Sequence, residues 1–353
     1  MALKQKIASV PRIGDYHIII EMLLERCLGC EILPCLSVTK KTVEIGSKNS
    51  PDMICTPFKI TLGGFIEAID KGANLLVMPG SACRLGLYDI LQKQILTDLG
   101  HDIEMLTLFD YLANEKRLFK SLSEVNPDLT TEHFSGVLDI IVAIVLDMDK
   151  FADFLRKNMA FEVNKGELEK YYKAYLNEIR NVQSVEEAQK IASVYEEKIH
   201  SVEINKPEKT IKIGIIGEMY AVIEPSSNCY IEKWLIEHNV EIFRPIDLTC
   251  IAAALFTVDE QIAESGGYVT YNVGSTANDS LAHAYKMITG GIDGIIHIKP
   301  STCSPEITAM TILQNMSKDH NVPIIYLTFD TETSEAGLHT RLEAFHDMLT
   351  MRS

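Results

Sequence analysis

The chemistry legible in this 353-residue sequence is concentrated in eight cysteines, at positions 27, 30, 35, 55, 83, 229, 250 and 303. Thiolates bind metals and clusters and act as nucleophiles, whereas buried thiols are inert, so local context decides what each can do. Cys27-Leu-Gly-Cys30 closes a helical pattern. It has no second pair to complete a four-cysteine zinc site and no helix N-terminus to lower a thiol pKa, so it reads as structural. Cys35 follows a strand and Cys250 lies in an apolar, helix-like segment; both read as core. Cys55, Cys83 and Cys303 differ. They occur in Cys55-Thr-Pro-Phe58, Pro79-Gly-Ser-Ala-Cys83-Arg and Pro300-Ser-Thr-Cys303-Ser-Pro. Each stands at an element boundary beside proline or glycine. Cys83 and Cys303 each follow the carboxyl end of a predicted parallel strand, where open α/β sheets place ligands. Their spacing is not that of a ferredoxin. A shared metal site would need ligands from two lobes, and buried thiols remain the alternative.

Other signatures are absent. No G-x-x-x-x-G-K-[ST] occurs, which argues against a P-loop ATPase. Gly214-Ile-Ile-Gly217 follows a strand but lacks the full dinucleotide fingerprint; tight strand-to-loop packing is the better reading. Ser226 and Ser227 are expected to open a helix, with an N-cap role preferred to phosphate binding. There is no G-x-S-x-G and no H-E-x-x-H. His101, His297 and His339 lack metal-ligand spacing and read as structural.

The elements that must position these residues alternate. Strand patterns at 73–78 and 103–108 flank a helical pattern at 88–99 that Gly100 ends, a parallel βαβ unit. From 116 to 206 helical patterns dominate, including 167–180 and 184–195, and Ser184 with Glu187 predicts a capping box. At Ile211 the alternation restarts, with strands at 211–216, 240–243, 294–298 and 323–328. Helices are expected at 228–239, 281–289 and 337–349. The expected fold is α/β: two Rossmann-like lobes with parallel sheets, at 1–115 and 207–353, joined by a helical middle at 116–206.

Apolar residues make up 46% of the chain, enough for globular packing throughout. The formal net charge of −16 disfavours nucleic acid and anionic membrane surfaces as partners. The most apolar run, 140–146, is far shorter than the roughly 20 residues a spanning helix needs. The N-terminus lacks a long apolar h-region, so the expected location is cytoplasmic.

Several stretches together carry a family resemblance. They are Val10-Pro-Arg-Ile-Gly-Asp-Tyr16, Thr39-Lys-Lys-Thr-Val-Glu-Ile-Gly46, the run from Cys55 to Ala68, Gly72-Ala-Asn74, Cys83-Arg-Leu-Gly-Leu-Tyr88 and Gln94 to His101. In the second lobe they are Ile213-Gly-Ile-Ile-Gly-Glu-Met-Tyr220, Cys303-Ser-Pro-Glu-Ile307 and Ser334 to Phe345. With these the chain resembles the acyl-CoA dehydratase activase-related proteins. These are stand-alone relatives of the 2-hydroxyacyl-CoA dehydratase D-component and of double-cubane cluster proteins.

The resemblance implies an iron–sulfur cluster in the interlobe cleft, held by Cys55, Cys83 and Cys303. It implies a 4Fe–4S cubane with one iron lacking a protein thiolate, or an 8Fe–9S double cubane if more cysteines join; Cys229 is the extra candidate, then Cys35. Lys59 and Arg84 are candidates to offset cluster charge, and Glu218 and Glu306 to relay protons. The implied partner is a separate ATP-hydrolysing activase that injects low-potential electrons, and the implied substrate is a small molecule or acyl-CoA-like. A homodimer is the expected assembly. Two other readings stay open: a non-catalytic electron-transfer or scaffold subunit, and a metal-free small-molecule-binding relative.

Overall fold

The computed structural model of the protein describes residues 6–80, 88–109, 115–254 and 257–352. The chain forms two compact units. One comprises Met1–Val145 with Ile179–Lys190, the other Leu146–Glu178 with Ile191–Ser353.

In the first unit the order is β1 (Ile7–Ser9), α1 (His17–Leu28), β2 (Glu31–Ile32), α2 (Lys40–Lys48), α3 (Thr56–Asp70), β3 (Leu75–Gly80), α4 (Tyr88–Asp98), β4 (Glu104–Phe109) and α5 (Glu115–Val125). The strands form a four-stranded parallel sheet in the order β2-β1-β3-β4. Leu75, Leu76 and Val77 of β3 are fully buried. A parallel strand covered on both faces must be apolar along its length, which is why 75–78 reads as a continuous run. The strand continues through Pro79 to Gly80, which pairs with Phe109, two residues beyond the predicted end.

The helices α2 and α3 pack at very close range through two glycines. A Cβ on Gly46 would fall on the Lys59 carbonyl, and one on Gly63 would fall on the Thr42 carbonyl. The start of α2 is fixed by Thr39, whose hydroxyl accepts from Thr42 N while Thr42 Oγ1 accepts from Thr39 N. Thr42 in turn donates to Glu67 of α3 at 2.6 Å, so the helix pair is tied by side chains as well as by backbone contact.

The middle of the chain is helical, as expected: α6 (Thr131–Asn158), α7 (Glu167–Glu178) and α8 (Val185–His200). Ser184 Oγ accepts from Glu187 N at 3.2 Å, half of the predicted capping box. The Glu187 carboxylate reaches back to Gln183 N rather than to the cap residue's own amide.

The second unit continues with β5 (Ile211–Gly217), α9 (Met219–Ile223), α10 (Ile231–Glu237), β6 (Val240–Phe243), α11 (Leu248–Ala254), α12 (Val258–Glu264), α13 (Ser275–Thr289), β7 (Gly294–Pro300), α14 (Ser304–His320), β8 (Ile324–Phe329) and α15 (Glu335–Arg352). Its sheet is also parallel, ordered β6-β5-β7-β8, the same arrangement as in the first unit. Every residue of β7 is buried. Ile216, Ala277, Leu281, Ala284, Ile295, Leu313 and Met316 form the core between this sheet and the helices α13 and α14. The paired parallel sheets establish the two Rossmann-like lobes expected from the sequence.

Two local expectations need correction. The predicted helix at 228–239 starts only at Ile231, because Cys229 and Tyr230 take left-handed backbone, φ +55° and +57°. Ser226 and Ser227 cap no α-helix; they lie in a short 3-10 turn, Pro225–Asn228. Glu224 caps that turn, accepting from Ser226 N, while Ser227 Oγ donates to the Glu224 carbonyl at 2.7 Å. The hydroxyls are spent on the chain's own carboxylate and carbonyls, which removes the phosphate alternative.

Candidate functional site

In each sheet the two central strands, β1 and β3 or β5 and β7, are where the chain switches direction across the sheet. Loops leaving such strands diverge and open a crevice at their carboxyl ends. In the second unit this edge carries a dense group of titratable side chains.

The strand β5 ends at Gly217, φ +136°, where a Cβ would fall on the Ile298 carbonyl of β7. Only glycine permits this approach, and the backbone then bonds across, Glu218 N to Ile298 O at 2.9 Å. Close packing therefore explains Gly214-Ile-Ile-Gly217. Glu218 occupies the N-cap of α9 and accepts from Tyr220 N at 3.2 Å and Ala221 N at 2.9 Å. Burial pushes its carboxyl up to about 7; the two amides oppose that rise and the charge of Glu306 adds to it.

The strand β7 leads directly into α14. Cys303 is the residue before the helix, Pro305 lies in its first turn, and Glu306 follows, fully buried. A buried carboxylate is costly unless its lone pairs are used. Here Oε2 accepts from His297 Nε2 at 2.7 Å and Oε1 from Ser280 Oγ at 3.2 Å. The carboxylate partner assigns the proton to His297 Nε2. His297 is itself fully buried in β7, and its Nδ1 has no hydrogen-bond partner among the described residues. Lys299, also on β7, is 4% exposed. Burial lowers its pKa, and Cys303 and Glu306 pull it back up, so its ammonium is electrostatically coupled to both. The sequence nominated Lys59 and Arg84 as compensating cations; Lys299, which it did not nominate, acts on Cys303.

In the first unit Cys55 is the N-cap residue of α3, with Pro57 in the first turn. Because α3 returns the chain to the start of the parallel strand β3, its N-terminus lies at the carboxyl edge of the sheet. The Cys55 thiol hydrogen-bonds the Tyr88 hydroxyl, and the Tyr88 ring stands edge-on to Phe58, centroids 5.0 Å apart. Lys59 lies one turn along α3, and its Nζ donates to the Asp52 carbonyl at 3.2 Å. Cys83 and Arg84 lie outside the described residues.

Cys55 and Cys303 thus share one local setting, a Cys-(Thr/Ser)-Pro entry into a helix. The amides of a helix N-terminus favour a thiolate there. Other described cysteines are set differently. Burial raises Cys27 and Cys30 to about 11 and Cys250 to about 12. Cys229 is raised by burial and then by the charge of Glu335. The Cys35 thiol is directed at the carbonyls of Val10 and Leu36. Soft thiolate donors at helix entries suit iron–sulfur ligation, and Cys55 and Cys303 fit that requirement.

Sequence reasoning missed three participants. Ser280 and Lys299 carry no motif, and their roles exist only once α13 and β7 are packed. His297, read as structural, is the residue that holds Glu306. A fourth feature was within reach: Asp279 and His283 stand one helical turn apart on α13, a recognised ligand spacing.

Two open parallel α/β units, each with a cysteine at a helix entry on the carboxyl edge of its sheet, define a Rossmann-like, two-lobe architecture. The chain matches the family described as 2-hydroxyglutaryl-CoA dehydratase, D-component, over residues 24–349, and it belongs to that family. A comparison with curated proteins finds no match. Among the described residues no helix is long and apolar enough to cross a membrane.

Proposed function

We propose that the chain is a dehydratase-component-like iron–sulfur protein that accepts low-potential electrons from a separate ATP-hydrolysing activase and reduces or activates a small-molecule or acyl-CoA-like substrate. Cys55, Cys83 and Cys303 are the thiolate ligands. The observation that carries this reading is the shared Cys-(Thr/Ser)-Pro helix entry of Cys55 and Cys303, in a chain matched nearly throughout to the dehydratase D-component family. The cluster, when bound, supplies one-electron chemistry at low potential.

The chain's own residues supply charge and protons. Lys299 opposes the negative charge of a Cys303 thiolate. Lys59 and Arg84 add positive charge near Cys55 and Cys83. Glu218, with a carboxyl raised to about 7, is suited to exchange a proton with substrate near neutral pH. Glu306 is the second carboxyl of the site; His297 and Ser280 hold it in one orientation, and its charge adds to the burial that raises Glu218.

The test is iron and acid-labile sulfide per chain on anaerobically purified protein, for wild type, Cys83→Ala and Cys303→Ala. About four irons per chain, lost in both variants, is the expected result. About eight would indicate a double cubane and bring further cysteines into ligation. No iron in the wild type, even after reconstitution, overturns the reading.

A further inference from the structure

We propose a second metal site in the second unit: a mononuclear divalent ion of the zinc class bound by Cys250, Asp279 and His283. None of its three ligands is among the thiolates assigned to the cluster, and the proposal does not depend on them.

The ligand atoms of these three residues all lie within 4.8 Å of one another. Cys250 Sγ is 3.3 Å from His283 Nε2, and that nitrogen is 4.0 Å from Asp279 Oδ1. Donors around a tetrahedral zinc are separated by about 3.3–3.8 Å, so small side-chain rotations close the set on an ion. Asp279 and His283 project from adjacent turns of α13. Cys250 is presented by α11, whose first turn is held in place. Asp149 accepts from both the amide and the hydroxyl of Thr249, at 2.9 and 2.5 Å, and Asp247 accepts from Cys250 N at 2.7 Å.

A thiol–imidazole hydrogen bond explains two of the three residues. It does not explain the acidic surroundings. The charges of Asp279, Asp247 and Asp149 all act on Cys250, in that order. A divalent ion would offset those negative charges and take a thiolate, a carboxylate and an imidazole as its ligands.

An independent observation comes from α12. Gln261 is 6% exposed, and its Nε2 donates to Asp279 Oδ1 at 2.8 Å, the kind of outer contact that orients a metal-binding carboxylate. Its Oε1 is buried with no hydrogen-bond partner among the described residues. Three protein ligands plus water is the arrangement of an open zinc site, and a thiolate–imidazole pair selects zinc, cobalt or iron over magnesium or calcium.

The experiment is a Co²⁺ titration of the full chain, made cluster-free by Cys55→Ser with Cys303→Ser and checked for folding by circular dichroism. One Co²⁺ per chain is expected, with a thiolate-to-cobalt charge-transfer band in the near ultraviolet. Cys250→Ser removes the band. Gln261→Ala, which leaves all three ligands in place, weakens Co²⁺ affinity by about tenfold and serves as the second test should Cys250→Ser fail to fold. Absence of the band in the folded parent, or its survival in Cys250→Ser, overturns the proposal. Iron content is read on the wild type separately, so a chain that binds cobalt but never iron keeps this site while losing the function proposed above.

Discussion

At the scale of single residues, the second unit concentrates carboxyls where water is scarce. Glu218 illustrates the consequence for pH. Its folded pKa, about 7, lies above the ordinary carboxylate value of 4.5, chiefly because burial disfavours the charged form. Between those values the folded chain holds a proton that the unfolded chain has released. Stability contributed by the protonated carboxyl is therefore present at low pH and is lost as pH rises through 7. Glu218→Gln cannot ionise, so its melting temperature should fall less between pH 5 and pH 8 than that of the wild type. The difference should correspond to roughly 1–3 kcal/mol. Parallel melting curves across that range would remove this account of the site. Cys303 and Glu306 were legible as residues from their place after a strand, but the partners that set their chemistry were not. Ser280, His297 and Lys299 are ordinary residues on ordinary elements until the β7–α14 corner closes around them.

At the scale of elements, the glycines of α2 and α3 decide how near Cys55 the two helices can cross. Gly46→Ala places a methyl on the Lys59 carbonyl, which is backbone and cannot rotate aside. The expected loss is about 1–3 kcal/mol or more. Gly64 on α3 faces open space, and a Cβ there would meet nothing within 4 Å. Gly64→Ala should therefore gain about 0.5–1 kcal/mol from helix propensity. Urea midpoints for the two variants should move in opposite directions; movement in the same direction would show that the crossing is not limiting. Element type was signalled where the sequence named strands and helices, because buried parallel strands and amphipathic helices have distinct apolar periods; α2 and α3 were not among them. Where it failed, at 228–230, a left-handed pair interrupts an otherwise helical pattern, and periodicity carries no information about φ.

At the scale of the whole molecule, each unit has its own parallel sheet, and the chain passes between units three times within its helical middle. The second unit draws on Leu146–Glu178 as well as on its sheet. Asp149 of α6 fixes α11 through Thr249, and Lys206 pairs with Glu241 of β6 at 2.8 Å. A fragment of residues 146–353 contains all of these groups, whereas 207–353 has lost Asp149 and Lys206. The longer fragment should melt cooperatively by circular dichroism and the shorter should not. A cooperative melt of 207–353 would mean that the helical middle contributes little to this unit. The formal charge of −16 belongs to this scale too; it describes long-range field and solubility and says nothing about ligation.

The sequence by itself determined the fold class, the parallel strands and the family, because burial pattern and short motifs are local and additive. It also singled out Cys55, Cys83 and Cys303 by their place at element boundaries beside proline or glycine. Only the tertiary structure decided that Glu306 would be held by His297 and Ser280, that Lys299 would be coupled to Cys303, and that Cys250 would meet Asp279 and His283. Those relations depend on side chains from different elements sharing one desolvated volume, and neither spacing nor periodicity encodes that.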